Sequence, residues 1–408
     1  MRAEQLRRRD SISTKSITGR IDAALKKIKL NKQSKLIVSV LLAVAAVLLI
    51  VFTAAQSLGN MTVSSMADSV KSYFLSLGAG DGFPYELDSA SVKDIKINNS
   101  NIYLLTSSKT TVLNQTAKEI MPKEHSYSKP AMKSKGARFI VYDLDSARYR
   151  IQNGSDITRE GEAKGRIIAA ALGKSGNYAL ATYSDSVQSV LTVYNSGGKE
   201  LYVWNFKSER VIDISLSDNG KFAAVATVDA FNGEINSKVY VFSFKSDKAV
   251  SEFDYKGTAV VKVDYVKGTN IIVMGDNIRS YIKNNSKRKD DISFGSDILY
   301  KYCITDTGRS AVVLSQYSST SLSKLSVYSG SGKDQFTVSF NKEMKWADCD
   351  DKYTAVLFEN EVRTFNKKGK QIGSISFTGE PVRVAVDGSR TYVLTTSGLQ
   401  CYDTRGTD

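Results

Sequence analysis

From Val92 to the C-terminus, short runs of alternating apolar and polar residues come in pairs around tight polar turns. The clearest copy is VIDISLSDNGKFAAVATV, Val211 to Val228. Others are IIAAALGKSGNYALATY from Ile167, VVKVDYVKGTNIIVMG from Val260, LYKYCITDTGRSAVVLS from Leu299, MKWADCDDKYTAVLFE from Met344 and PVRVAVDGSRTYVLTT from Pro381. Two weaker copies precede them, VKDIKINNSNIYLLTS from Val92 and AMKSKGARFIVYDLD from Ala131. A period of two predicts strands, and the Gly, Asn, Asp and Ser clusters between runs predict hairpin turns. Aligned on those turns, the marker positions are Ser100, Gly136, Gly176, Gly220, Gly268, Gly308, Asp351 and Gly388, spaced 36 to 48 residues apart.

In most units a third and a fourth run follow. VYNSGGKELYVWNF (Val193 to Phe206) returns as VYSGSGKDQFTVSF (Val327 to Phe340) and more loosely as TFNKKGKQIGSISF (Thr364 to Phe377). Four short strands about every forty residues predict the blade of a β-propeller, because one such sheet cannot bury both of its faces alone. Each repeated stretch is then a third strand, a turn and a fourth strand. Gly198, Gly332 and Gly369 supply the positive φ of the turn, and Lys199, Lys333 and Lys370 are solvated turn lysines, not phosphate ligands. The expected fold is all-β, an eight-bladed propeller over residues 84–408, with seven blades as the alternative count. The last unit stops after a third strand, GLQCYDT (Gly398 to Thr404), while PYELDS (Pro84 to Ser89) has no blade of its own. The N-terminal strand is therefore expected to complete the last blade, which removes two open sheet edges.

Ahead of the repeats the pattern changes. Leu36 to Ala55, LIVSVLLAVAAVLLIVFTAA, carries no charge over 20 residues, enough for a transmembrane helix. Lys26, Lys27, Lys29, Lys32 and Lys35 precede it, whereas Asp68 is the only charge between Ala55 and Lys71. The positive-inside rule places Met1 in the cytoplasm and the repeats outside, making this a single-pass protein of the cell membrane. Residues 1–35 read as a basic cytoplasmic tail in which Ile17, Ile21, Leu25 and Ile28 could line an amphipathic helix. Residues 56–83 read as a juxtamembrane helix, with Val63, Met66, Val70, Phe74 and Leu77 on one face, ended by the hinge GAGDGFP.

The formal charge of +14 is unevenly placed: residues 1–35 hold eleven Lys/Arg against three carboxylates. The remaining +6 is spread over the long C-terminal part, an ordinary solvated surface, so no nucleic-acid partner is expected. Three cysteines, Cys303, Cys349 and Cys401, are few and odd in number, and disulfides are not expected to hold the domain together.

The strand-turn-strand units resemble the β-propeller repeat superfamily: their turn and Gly-Lys pattern is similar to quinoprotein-like repeats, and the unit itself is similar to WD40-type blades. The Trp-Asp and Gly-His dipeptides of WD40 repeats are absent, and only Gly198-Lys199 to Trp204 approaches the quinoprotein blade ending. Binding of a quinone is unsupported, and no cofactor is expected. Basic tail, membrane helix and propeller together look like a group of uncharacterised membrane-anchored bacterial proteins, a likeness that implies topology and not activity.

Candidate chemistry is sparse. The single histidine, His125, cannot build a multi-histidine metal site and reads as a surface-loop residue. The Gly-Lys-Ser at Gly173 has Ile168 where a phosphate-binding loop needs its first glycine. DCDD, Asp348 to Asp351, gathers three carboxylates but lacks the glycine and closing acid of a calcium loop, and reads as a hydrated turn. No catalytic, cofactor or metal residue is assigned. Aromatic residues in or beside inter-strand segments remain, Tyr183, Phe231, Tyr317 and Trp346, with long loops at Val228 to Ser237 and Ser315 to Ser323. Phe231, Asn232, Tyr317 and Trp346 are the candidate binding-loop residues. The expected function is a membrane-anchored, extracytoplasmic, non-catalytic binding platform for a protein or cell-envelope polymer. The alternative is an extracytoplasmic hydrolase or lyase acting on glycans or peptides at the central channel, and a third is a sensor that signals through the basic tail.

Overall fold

The computed structural model describes residues 77–406, apart from 88–91, 99, 121, 154–155, 232 and 317–318. The expected tail, transmembrane helix and nearly all of the juxtamembrane segment lie outside the described residues, among which no helix is long and apolar enough to cross a membrane.

Eight antiparallel four-stranded sheets follow one another in sequence. They are blade 1 (92–124), blade 2 (130–162), blade 3 (167–206), blade 4 (210–256), blade 5 (260–293), blade 6 (298–340), blade 7 (346–376) and blade 8 (381–403). First strands of neighbouring blades contact one another around most of the ring, blades 5 and 6 meet through Met274, Phe294, Val312 and Leu314, and the first strand of blade 8 contacts that of blade 1, so the ring is closed. Of the eight turn markers, seven have φ between 59° and 87°; Asp351 does not, and its turn is built by side-chain bonds instead. The repeated Gly-Lys also behaves as expected: Asn195 Oδ1 accepts from the Lys199 backbone N–H at 2.9 Å, and Asn366 Oδ1 from that of Lys370 at 3.1 Å.

The apolar core of the described residues is not one mass but eight separate clusters, each shared by two successive blades. The cluster between blades 3 and 4 joins Leu191, Val193 and Phe206 to Ile214, Val225 and Phe242. That between blades 8 and 1 joins Tyr392, Leu394 and Leu399 to Ile95, Ile102 and Leu104. A blade thus gives one face to the blade before it and the other to the blade after it.

Ring closure is as the sequence implied. Tyr85 and Glu86 pair with Leu399 and Gly398 as the outer strand of blade 8, and the Leu87 N–H reaches Ser397 O at 3.2 Å. The cysteines are not as expected: Cys303 and Cys349 form a disulfide across the first strands of blades 6 and 7, with Cα atoms 6.4 Å apart, and only Cys401 is free. Sequence spacing hid the pair because residues 46 apart are brought together only by the radial stacking of blades.

Three arginines, Arg150, Arg279 and Arg309, are 2%, 0% and 3% exposed and form no ion pair among the described residues. Each reaches into the adjoining blade. Arg150 donates to Glu124 O at 2.6 Å and Lys123 O at 3.0 Å in blade 1. Arg279 donates to Ser310 Oγ of blade 6 at 2.9 Å. Arg309 donates to Asp350 O and Tyr353 O, both at 2.7 Å, and to Thr354 Oγ1 at 2.9 Å in blade 7. Burial lowers all three pKa values, that of Arg279 to about 10, and outweighs the carboxylates of Glu160 near Arg150 and of Asp350 and Asp351 near Arg309. Carbonyls at strand ends would otherwise be buried without a donor. Replacing Arg309 by Met is expected to cost about 2–4 kcal/mol in urea unfolding. Arg309→Lys should recover little, because a lysine cannot reproduce the planar fork; full recovery by Lys would refute this role.

Candidate functional site

Inter-blade bonds show that the first strands run side by side in the same direction. The Asp213 carboxylate of blade 4 accepts from Val263 N at 3.2 Å and Ser215 Oγ from Tyr265 N at 2.9 Å. In blade 7, Asp348 accepts from Val386 N at 2.9 Å and Asp350 from Gly388 N at 2.6 Å. Two faces follow from this. Because the strands of a blade are antiparallel, the hairpins joining second to third strands lie on the face where first strands begin; this is the hairpin face. On the opposite face the segment leading into the ring arrives: Gly78 O and the Gly80 N–H bond to Asn114 and Thr116, in the turn after the third strand of blade 1. We call this the tether face.

Six of the eight first strands carry a β-bulge near their start, placing Asp94, Ala169, Asp213, Lys262, Lys301 and Arg383 just after it. A bulge re-aims the side chains beside it, and Asp94, Lys262, Lys301 and Arg383 line the central channel, a cavity of about 980 Å³. Its wall is neither purely acidic nor apolar: seven basic and seven acidic side chains balance, which gives a polyanion no net attraction.

Part of the channel is bridged. Lys133 of blade 2 reaches past blade 3 to Asp213 of blade 4 at 3.0 Å, where Lys262 of blade 5 also binds at 3.0 Å. Lys135 reaches Asp306 of blade 6 at 2.9 Å and lies 3.9 Å from Asp218. Blade 3 contributes Ala169, Ala170 and Ala171 to its first strand, small side chains that leave room for these long ones. Burial works against the Asp213 carboxylate, but Lys133 and Lys262 outweigh it and hold its pKa below the ordinary range.

The charges are partly sorted by face, with Asp94 and Lys135 as exceptions. Lys93, Lys301 and Arg383 stand where first strands begin, whereas Asp306, Asp350, Asp351 and Asp387 stand where they end. At the hairpin-face mouth the Trp346 ring has Arg383 4.2 Å from its centroid and Lys301 at 5.2 Å. Arg383 is held there by Asp94 at 2.6 Å. Blade 3 repeats the device on the same face, with Arg166 and Arg210 each 4.9 Å from the Tyr183 ring.

Of the candidate loop residues, Trp346 is not in a loop but opens the first strand of blade 7. Phe231 ends the second strand of blade 4; Asn232 and Tyr317 lie outside the described residues. The two long loops are extended hairpins: blade 4 has second and third strands of 10 residues each, and the third strand of blade 6 also has 10. The DCDD carboxylates are inter-blade latches. Besides the bonds above, Asp350 accepts from the Lys352 and Tyr353 N–H groups at 2.6 Å, and Asp351 accepts from Thr305 at 3.3 Å and from Thr307. His125 does lie in a loop, yet it is half-buried, its ring stacked 5.0 Å from Tyr127, and burial lowers its pKa to about 4. Sequence reading missed Lys301 and Arg383, whose signal is a basic residue two or three positions beyond the strand start.

The molecule is an eight-bladed β-propeller with a fold similar to WD40 domains. The C-terminal WD40 domain of Sif2 is 10% identical with a TM-score of 0.55, over 78% of this chain and 98% of that one. Saccharomyces cerevisiae Sqt1 is 9% identical with a TM-score of 0.54, over 80% and 100%. Chaetomium thermophilum Sqt1, bound to the N-terminus of the ribosomal protein L10, is 12% identical with a TM-score of 0.54, over 78% and 98%. At these identities only the fold is shared. Residues 85–400 match the family of unknown function DUF5711, and the protein belongs to it. No curated protein matches.

Asp348 offers a test of the channel wall. Crowding by surrounding protein disfavours its charge and raises its pKa to about 6. A carboxyl raised in the folded state weakens folding once it ionises, so this penalty is absent below about pH 4 and complete above about pH 6. Asp348→Asn keeps an acceptor for Val386 and is expected to stabilise at pH 7.5 by about 1 kcal/mol, allowing for solvent in the channel. The gain should vanish at pH 4 in thermal melts; an equal effect at both values would refute it.

Proposed function

We propose that this protein is a membrane-anchored, extracytoplasmic, non-catalytic binding platform, and that its partner is a protein met on the hairpin face. The observation that carries the reading is the exposure of large apolar side chains there. Ile235, Val261, Tyr300 and Leu322, from blades 4, 5 and 6, are 50%, 38%, 39% and 48% exposed, and all stand near strand ends on the hairpin face. Leu77 in the entering segment and Ile157, Leu201 and Val203 on the outer strands of blades 2 and 3 are exposed as well. On the hairpin face, however, the exposed apolar side chains fall on three successive blades, and such a patch on a rigid scaffold marks an interaction site. Chaetomium thermophilum Sqt1, similar in fold, holds another protein's N-terminus, in keeping with this reading. Glycan or peptide cleavage is less well supported, because Asp348, Asp350 and Asp351 are occupied as latches.

The membrane anchor rests on Leu36 to Ala55 and the lysines before it. An outside location is supported by the Cys303–Cys349 pair, since such bonds persist chiefly in oxidising compartments. Protease added to intact cells is expected to digest the part of the protein that follows residue 55 and to spare residues 1–35; the reverse pattern overturns the topology. A photo-crosslinking residue at Leu322, on the hairpin face, is expected to capture a stoichiometric protein partner in membranes, and one at Lys199, in a turn on the tether face, is not. Adducts only from Lys199, or degradation of envelope polymer by the purified protein, would overturn the platform reading.

A further inference from the structure

We infer that the hairpin-face mouth of the channel is a docking site for an extended peptide segment of the partner, with an acidic residue of that segment seated on Lys301 beside Trp346. This rests on the platform reading above and adds the chemistry of the partner.

Three observations carry it. First, the two cations flanking Trp346 are not equivalent. Arg383 is neutralised by Asp94 and further held by Lys93 O at 3.4 Å, whereas among the described residues no carboxylate lies within ion-pairing distance of Lys301. The Lys301 ammonium instead faces two rings, Tyr300 at 4.7 Å and Trp346 at 5.2 Å. No carboxylate binds its charge directly at the mouth of the open cavity, Glu343 being engaged by the Tyr300 hydroxyl at 3.3 Å, and the complement of an ammonium between two rings is a carboxylate that brings apolar neighbours with it.

Second, exposed apolar side chains stand beside Lys301, with the paired charges of Glu343 and Lys345 at their edge. Tyr300 is the residue before it, and Val261 stands at the same level of the adjoining blade 5. A segment with an aliphatic or aromatic residue beside its acid would bury these side chains while forming the ion pair. A polymer of repeated anions could use only the charge.

Third, the channel sets the depth. Beyond the mouth lie Asp348, Asp350 and Asp387, and both Asp348 and Asp387 have raised pKa values, burial being the main cause. A second carboxylate pushed deeper would meet them, so the acid stays at the mouth and the residue beyond it is neutral or basic. The same gradient disfavours a polyphosphate or an anionic glycan threaded through the ring.

The test uses the full-length protein in nanodiscs and three fluorescent synthetic peptide pools of about a dozen residues. One pool carries Asp flanked by Leu and Phe, the second has Asn for Asp, and the third has Ser for Leu and Phe; inorganic polyphosphate is the fourth probe. Fluorescence anisotropy is expected to show the Asp pool binding about tenfold more tightly than either of the other two pools. Lys301→Gln should remove the Asp-over-Asn preference without changing affinity for the Asn pool, a coupling that a general loss of structure would not produce. Trp346→Phe, which keeps a ring in the core, should weaken the Asp pool less than Lys301→Gln does. Equal binding of Asp and Asn pools, or equal weakening of both by Lys301→Gln, overturns this assignment, while crosslinking from Leu322 still decides the platform reading separately. Binding of polyphosphate alone, or of none of the probes, also overturns it.

Discussion

The contact on which everything else depends is the apolar packing of one blade against the next. A four-stranded sheet built from runs such as YALAT or FAAVATVDAF has two greasy faces, and solitary burial of either is impossible. Stacking solves this only if every blade has two neighbours, and in a molecule of finite length that requires a ring. At about 25 cal/mol per Å² of apolar surface, each interface contributes a favourable term, from the fourteen buried residues between blades 3 and 4 to the five between blades 5 and 6. Around the rim of these greasy contacts, polar groups that cannot avoid burial are satisfied across the same seams. The guanidinium groups of Arg150, Arg279 and Arg309 supply donors where strand-end oxygens converge, and Asp213 and Asp348 supply acceptors for N–H groups of the following blade.

The ring leaves a hole on its axis, and the fate of that hole decides what the molecule can do. Here the hole is partly bridged by lysines of blade 2 and partly open, with most of its cations where the first strands begin and most of its carboxylates where they end. Most of those carboxylates are engaged in holding blades together. The side chains left without such duties, Lys301 and the exposed apolar residues of blades 4 to 6, stand on the hairpin face. Structure and recognition thus share the same positions: just past the bulge, Asp94, Asp213, Lys262 and Arg383 bond across blades, while Lys301 forms no ion pair among the described residues.

The architecture was legible because it is written in local periodicity. Alternating runs, turn glycines and a recurring Gly-Lys after Asn or Ser all act within a few residues of one another, and even ring closure could be read from a unit that lacks its fourth strand. What was illegible is everything that depends on which blade meets which across the axis. Nothing near Lys133 announces that Asp213, 80 residues away, is its partner. The Cys303–Cys349 pairing failed to show because nothing local tells which positions of two neighbouring first strands face each other. Trp346 drew notice as an aromatic, but its setting between Lys301 and Arg383 depends on bulges in neighbouring blades, and a bulge leaves no mark in a hydrophobic pattern. The acidic DCDD turn looked like chemistry and proved to be joinery.

Closure by residues 85 and 86 has a mechanical side. The segment entering the ring, Leu77 to Pro84, continues directly into the strand that seals blade 8, so any tension arriving from upstream falls first on that seam. Only two residue pairs hold it in register, against five or six between the inner strands of the same blade. The Asn114, Thr116 and Lys118 contacts to Leu77, Gly78 and Gly80 lie just ahead of it and share the strain. A sustained pull would therefore peel the ring at its joint before shearing any of its interfaces, which makes the join between blades 8 and 1 the mechanical fuse of the molecule.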